Sequence, residues 1–301
     1  MADSEEPNGL PRKPRRRWLQ VSLRTLLILV TLLGIWLGWV VNRGERQRRA
    51  VAAIREIGGI VYYEHDVVVD RGAVFVQLAK PISTTRSKSI PTTRSGWRGW
   101  FPWDCFENVH SVQFPGDKVA DADLAHLQAL KGLHELHIMK APVTDAGLKH
   151  LRGLTTLKSL DLVGTQASDA GLENLAGLTS LTHLNLHTSG VTDAGLVHLK
   201  KLTQLTELCL SHTRVTGDGL KHLRGTASLR EVLLDSSPVT DAGLPHLESL
   251  TNLQYLSLRF TQVTDSGLRK LRWALPKCQV YGREWRDWGL TGDDEAGVSV
   301  P

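Results

Sequence analysis

The chain repeats itself with a 24-residue period between residues 109 and 282. An element resembling Val-Thr-Asp-Ala-Gly-Leu occurs seven times in succession, beginning at Val119, Val143, Ala167, Val191, Val215, Val239 and Val263. An apolar LxxLxL pattern, such as Leu181, Leu184 and Leu186, precedes most copies of this element. A fixed period of this length predicts a stack of similar units, because one such unit cannot bury its apolar face alone.

Each unit contains signals for a strand, a turn and a short helix. Apolar alternation in LxxLxL predicts a short strand with one buried face. A hydroxyl residue three positions after the strand supplies polar groups for the turn, at Thr165, Ser189, Thr213, Ser237 and Thr261. The following Thr-Asp or Ser-Asp pair provides N-cap oxygens for a helix, beginning at Thr144, Ser168, Thr192, Thr240 and Thr264. These features predict an α/β fold, a right-handed β-α superhelix of the leucine-rich-repeat type, with parallel strands lining its concave side.

A second constraint is the apolar N-terminal segment. Residues 25–41 contain no charged side chain, and Trp18 and Trp39 lie near its ends, where indoles favour membrane interfaces. The segment is longer than the hydrophobic region of a cleaved signal peptide, and Arg43 and Arg46 follow it instead of small residues. We therefore predict an uncleaved signal-anchor that crosses the membrane once, with a cytoplasmic N-terminus and an extracytoplasmic repeat domain.

The resulting organisation has five parts: a basic cytoplasmic head (1–17), a transmembrane helix (18–42), a juxtamembrane segment with an N-terminal cap (43–108), the repeat solenoid of about seven units (109–282), and a C-terminal cap remnant with a flexible tail (283–301). Within the third part we expect a helix over Ala50–Ile57, one or two β-rich segments between Gly59 and Val69, and an exposed, flexible linker or loop over 80–96. Two tryptophan clusters flank the repeats and would cover the solenoid ends or form a partner surface, at Trp97, Trp100, Trp103 and Trp273, Trp285, Trp288.

Charge and motifs exclude several functions. The net charge is +5, but residues 1–49 hold ten Lys or Arg against four acids, so the rest of the chain sums to −1. This distribution disfavours a nucleic-acid footprint on the main domain. No motif for a phosphate loop, a dinucleotide site, a nucleophile elbow or a zinc protease is present, and we expect no cofactor, no small-molecule substrate and no internal disulfide.

These residues carry two resemblances. The repeat VTDAGLxHLxxLTxLxxLxLxxT resembles ribonuclease-inhibitor-like leucine-rich repeats, especially the cysteine-containing type of F-box substrate adaptors, although Leu or Thr replaces the characteristic cysteines. The segment SLRTLLILVTLLGIWLGWVVNRGERQRRAVAAIREIGGIVYY resembles the anchor and lead-in of membrane-tethered leucine-rich-repeat proteins of planctomycete bacteria. Together the resemblances cover residues 18–280, and they imply an architecture without implying a ligand.

The concave side of the predicted sheet is the candidate site. Strand positions three, five and seven project there, and their spacing lets His183 meet Glu207 and His137 meet Asp161. We expect partner contacts from His183, Asn185, His187, Glu207, Cys209, Glu231, Asp235, Tyr255 and Arg259. A metal site of His183, Glu207, Cys209 and His187 is a sharper alternative, but side chains on a flat sheet diverge, so we predict no metal.

A column of histidines on the helical side has two interpretations. It contains His126, His150, His198, His222 and His246, and it is either a pH sensor or a consensus position copied by duplication.

The function predicted for the whole chain is a membrane-anchored binding module, without catalysis, that recognises a protein on its concave face. The alternatives are a cytoplasmic F-box-like adaptor scaffold, for which the F-box helices are missing, and a metal-dependent hydrolase.

Overall fold

The computed structural model describes residues 23–63 and 108–282. It divides into two units, Met1–Asn42 and Arg43–Pro301. Helix α1, Leu23–Glu56, begins in the first unit and ends in the second. The N-terminal tryptophans Trp97, Trp100 and Trp103, the loop over 80–96, Cys105 and the last residues with Trp285 and Trp288 lie outside the described residues.

In the first unit, α1 is apolar, and its side chains from Arg24 onwards are exposed apart from a half-buried Val40. It is long and apolar enough to cross a membrane, a property that a signal sequence shares. A Cβ added at Gly34 or Gly38 would meet no atom within 4 Å apart from the helix's own backbone.

The second unit begins with the last turns of α1, where Ala50, Val51 and Ile54 are buried in the core. The helix expected over Ala50–Ile57 is thus the end of α1, not a separate element. Gly59 then allows a close approach, because a Cβ there would lie 2.8 Å from the Phe114 ring.

Within the described residues of the second unit, nine strands form one sheet in sequential order. Strand β1 pairs antiparallel with β2, and every later pairing is parallel. Partners in the parallel pairings are one repeat apart, as His183 and Glu207 are, so the sequence period is also the sheet register. The strands are β1 (Ile60–Tyr63), β2 (Val109–Pro115), β3 (Glu135–Met139), β4 (Ser159–Asp161), β5 (His183–Asn185), β6 (Glu207–Cys209), β7 (Glu231–Leu233), β8 (Tyr255–Leu258) and β9 (Gln279–Gly282).

From β2 onwards, helical segments return the chain from each strand to the next. Four are α-helical, namely α2 (Asp145–Leu148), α3 (Asp169–Leu175), α4 (Leu244–Leu247) and α5 (Asp265–Ala274). The others are 3₁₀ helices, at Asp121–Ala129, Lys149–Leu151, Gly195–Lys201, Asp218–Leu223 and Asp241–Gly243. The expectation of a helix in each repeat is met, and the tighter 3₁₀ form suits pieces this short. The fold is a right-handed leucine-rich-repeat solenoid, and its leucines form one continuous core.

The turn after each of the strands β2 to β8 places one residue in the left-handed region. Lys140, Thr188, His212, Ser236 and Phe260 all have φ of 55–56°, and Gly164 has φ of 65°. With Gly116, whose φ is 81°, they recur once in every repeat, and two of the seven are glycine. The predicted hydroxyls lie close by: the hydroxyls of Thr165, Thr213 and Thr261 donate to the carbonyls of Leu162, Leu210 and Leu258 at 2.6–2.8 Å, whereas the Ser189 hydroxyl is buried without a partner in the described chain.

The Thr-Asp pairs join neighbouring repeats. Thr144 and Thr264 cap their own helices through the side chain, but Ser168 and Thr240 form no such cap, which corrects that part of the prediction. Each aspartate instead accepts the backbone N–H and the hydroxyl of the next repeat, in the pairs Asp121–Thr144, Asp145–Ser168, Asp169–Thr192, Asp193–Thr216 and Asp241–Thr264. We call these five pairs the aspartate ladder.

The ladder has one gap. Gly217 stands where the other repeats have aspartate, and its φ is +119°. A Cβ at Gly217 would lie 2.7 Å from the Cα of Gly243, so the two backbones touch there. An aspartate at position 217 would accept hydrogen bonds from Thr240. In its absence, the N–H of Thr240 donates to the carbonyl of Thr216 at 3.3 Å.

Candidate functional site

The concave face of the sheet presents columns of side chains, as the repeat predicts. Register places Glu135, Ser159, His183, Glu207, Glu231 and Tyr255 side by side on successive strands. The adjacent column contains His137, Asp161, Asn185, Cys209, Leu233 and Ser257. The sequence therefore identified the neighbours within these two columns correctly.

The middle of the face holds a histidine and two glutamates. His183 Nε2 lies 3.0 Å from Glu207 Oε1, which confirms the predicted contact, and its Nδ1 lies 2.7 Å from the Thr182 hydroxyl. Oε2 of Glu207 is buried and has no hydrogen-bond partner in the described chain. Glu231 is the next residue in the column, and burial together with the charge of Glu207 raises its pKa. This part of the face therefore has more acceptor capacity than it uses.

Several side chains predicted to contact a partner instead form hydrogen bonds with the protein's own backbone. Asn185 Oδ1 accepts the N–H of His187 at 3.0 Å, and Asp235 Oδ1 accepts the N–H of Arg259 at 2.9 Å. These acceptors hold the chain where it turns away from the strand. Cys209 is fully buried, and burial raises the pKa of its thiol, so the side chain does not reach the surface.

The C-terminal end of the face carries an aromatic cluster with one cation. The rings of Tyr255 and Tyr281 are 5.0 Å apart, and Arg259 Cζ lies 5.2 Å from the Tyr281 ring centre. All three side chains are half-buried. Sequence reasoning missed Tyr281, although it pairs with Ser257 at the same position of the next unit and so belongs to the concave column.

The N-terminal end of the concave face carries a second cluster of charged side chains. His137 lies 3.8 Å from Asp161 and 3.9 Å from Glu135. Burial lowers the pKa of His137, but the two carboxylates outweigh it and raise this pKa to about 9. His137 in turn is the main cause that lowers the pKa of Glu135. The predicted meeting of His137 with Asp161 is confirmed, and Glu135 is an additional partner.

Other histidines are spread over both sides of the solenoid. His187 and His212 meet edge to face at 4.9 Å, and burial followed by the His212 charge lowers the pKa of His187. In the helical column, His150 Nδ1 lies 3.0 Å from Gln128 Nε2, and His246 Nδ1 lies 2.9 Å from an Arg224 nitrogen. These two histidines contact amide or guanidinium groups of the neighbouring repeat.

Neither a metal cluster nor a tryptophan cap is found in the described part. Over 23–63 and 108–282, no group of three or more His, Cys, Asp or Glu side chains has the geometry to hold a metal ion.

Trp273 is 87% exposed on α5, so the expectation that it covers the solenoid end is wrong. Leu268 and Leu271 form the buried side of α5, and Trp273, two positions after Leu271, lies on the opposite side of the helix.

Comparisons with known proteins give the following matches. Residues 153–176 and 249–271 match the family described as Leucine Rich repeat. Among solved structures, the chain is similar to an internalin C2 of Listeria monocytogenes, with 24% identity and a TM-score of 0.47, over 58% of this chain and 80% of that one. An internalin (inlF) of the same organism has 23% identity and a TM-score of 0.39, over 54% of this chain and 49% of its own. No curated protein matches at a significant level.

Proposed function

We propose that this chain is a membrane-anchored leucine-rich-repeat module that recognises a protein partner on its concave face and performs no catalysis. The observation that carries the proposal is the cluster of Tyr255, Tyr281 and Arg259 on the open side of the sheet. Tyrosine and arginine dominate the binding energy of many protein interfaces, since they bury large areas and still form hydrogen bonds.

The scaffold lowers the entropic cost of binding. Parallel pairing and the aspartate ladder hold each concave side chain at a fixed spacing, so few backbone groups need to be ordered when a partner arrives. The half-buried tyrosines are also restrained before contact. Such a surface suits an extended partner segment that crosses several strands.

The charges on the face indicate the chemistry of that segment. Glu207 and Glu231 are neighbours on adjacent strands, and Glu207 contributes to the raised pKa of Glu231. A Lys or Arg side chain placed between them would relieve this repulsion, and its aliphatic part would pack on Tyr255. We therefore expect a partner segment with at least one basic residue.

A quantitative copurification experiment tests the interface. The tagged full-length chain is compared, in the organism that encodes it, with a variant carrying Glu231→Gln, Tyr255→Ala and Arg259→Ala. A partner protein should copurify with the wild type and be lost from the variant, at unchanged circular dichroism. A control variant with Lys140→Gln, Lys158→Gln and Arg230→Gln should retain it, and retention by both variants would exclude the proposed interface.

The membrane part of the proposal places residues 18–42 across the bilayer, with the N-terminus cytoplasmic and the repeats outside the cytoplasm. It is supported by the length and apolar surface of α1. Fusing a phosphatase that is active only outside the cytoplasm after Pro301, and separately a fluorescent protein that folds only inside, tests the orientation. Phosphatase activity is expected, and fluorescence without it would reverse the orientation.

A further inference from the structure

The helical side of the solenoid has a charge opposite to that of the concave side. We define the helical face as the exposed side chains of residues 149–152, 173–176, 197–201, 221–224, 245–248 and 269–273. It contains two exposed acids, Glu173 and Glu248. Against them stand nine exposed cations, Lys149, Arg152, Lys200, Lys201, Lys221, Arg224, Arg269, Lys270 and Arg272. The near-zero net charge of the repeat domain therefore conceals two surfaces of opposite sign.

The two acids of the helical face cannot neutralise its nine cations. Arg224 instead contacts His246 at 2.9 Å, and Arg272 donates to the carbonyl of Val280 at 3.1 and 3.3 Å. First-turn aspartates such as Asp169 and Asp241 are engaged in the aspartate ladder. Asp218 and Asp265 are also exposed at the first turns of their helices, and they still leave the cations in clear excess. A surplus of cations spread over neighbouring repeats attracts an extended anionic surface more effectively than one small anion.

An exposed indole accompanies these cations. Trp273 is 87% exposed, and on α5 it lies one turn after Arg269 and Lys270. Residues three or four positions apart share one side of a helix. Indoles flanked by basic side chains are typical of the interface between lipid headgroups and acyl chains. Val197, on the helix Gly195–Lys201, adds a second exposed apolar side chain close to basic residues.

From this arrangement we propose that the helical face docks on the surface of an anionic lipid bilayer, with Trp273 at the headgroup level. The proposal rests on the membrane anchor of the proposed function, which keeps the domain close to a bilayer and so raises the effective lipid concentration. It leaves the concave face free for the protein partner. A nucleic acid or an acidic protein is the competing occupant, and the exposed Trp273 beside Arg269 and Lys270 favours lipid.

Amine labelling of the full-length chain in lipid nanodiscs tests the docking. The acylation rates of Lys200, Lys201 and Lys221 are measured by mass spectrometry in discs of phosphatidylcholine and in discs with about one third phosphatidylglycerol. Labelling should slow by about threefold or more in the anionic discs, and high salt should abolish the difference, because these are screened surface charges. Lys140 and Lys158, which lie outside the helical face, should label equally in both.

Variants separate the helical face from nonspecific attraction. Lys200→Gln, Lys201→Gln and Lys221→Gln together should remove the protection of Lys149 and Lys270 in anionic discs, and Trp273→Ala should weaken it. The control variant Lys140→Gln, Lys158→Gln and Arg230→Gln removes the same charge elsewhere and should retain protection.

Three outcomes would overturn the proposal. The first is equal labelling in the two lipids by a chain that has entered the discs. The second is equal loss of protection in the control variant. The third is stronger protection by a DNA duplex or a polyglutamate peptide than by anionic lipid, which would identify a different class of partner. A chain that fails to enter the discs would instead refute the anchor, so the two failures are distinguishable.

Discussion

Replacing Gly147 with alanine tests whether the aspartate ladder holds the repeats together. A Cβ at this position would lie 2.5 Å from Asp121 Oδ1 and 3.1 Å from the Asp121 Cα. Such contacts force the carboxylate to move. It would then lose the N–H and the hydroxyl of Thr144, which it accepts at 2.7 and 2.5 Å.

The expected cost follows from these two hydrogen bonds. A hydrogen bond to a charged group contributes about 1.5–3 kcal/mol, and partial exposure places both near the lower limit, so their loss costs about 3 kcal/mol. Alanine is better than glycine in a helix by about 1 kcal/mol. We therefore expect Gly147→Ala to lower the free energy of unfolding by about 2 kcal/mol, measured by urea titration of the full-length chain in detergent.

Gly225→Ala is the matched control, because a Cβ there meets no atom within 4 Å. It should be neutral or slightly stabilising, since alanine restricts the unfolded chain. In an Asp121→Ala background the penalty of Gly147→Ala should shrink, because the carboxylate is already absent. An equal effect of the two glycine substitutions, or an undiminished penalty in that background, would refute the reasoning.

Three further predictions concern single side chains. The folded-state pKa of His137 is about 9, above its ordinary 6.5, so its stabilising effect is complete below pH 6.5 and is lost as the pH rises through 9. Urea titrations should show that the wild type loses about 1–2 kcal/mol more than His137→Gln over this range, after screening by solvent, and equal losses would contradict the ion pairs with Asp161 and Glu135. Thr188→Asn should raise the melting temperature, because asparagine tolerates the left-handed φ of 55° better than a β-branched residue, whereas Thr188→Val should not. Cys209 should resist alkylation by iodoacetamide in the native chain and react after unfolding, as followed by peptide mass spectrometry; rapid native labelling would show that the thiol is accessible.

The sequence was sufficient to predict the register of the sheet. The repeat period determines both which residues pair and which face they share, because a shift of one residue would bury the polar side chains and expose the leucines. The contacts of His183 with Glu207 and of His137 with Asp161 follow from this register. The same period would also have identified Tyr281, which lies beyond the last complete repeat element.

Other features follow from contacts that residue types do not reveal. Two repeats have glycine at the left-handed position after the strand, namely Gly116 and Gly164. The other five have Lys140, Thr188, His212, Ser236 and Phe260, which share no chemical property, so the geometry of the turn imposes the conformation. The Thr-Asp pairs look the same in sequence whether an aspartate caps its own helix or bonds the next repeat. The separation of acidic and basic surfaces is invisible in the net charge, since it depends on which side of the solenoid each residue lies.

The most direct test of the account is to find which side of the solenoid touches a protein in the cell. A photo-reactive phenylalanine analogue is placed at Tyr255 on the concave face or at Val197, which is 42% exposed on the helical face. A defined protein adduct is expected from position 255, to be lost when Glu231→Gln and Arg259→Ala are added, and none is expected from position 197. A protein adduct from position 197 with none from position 255 would contradict that expectation.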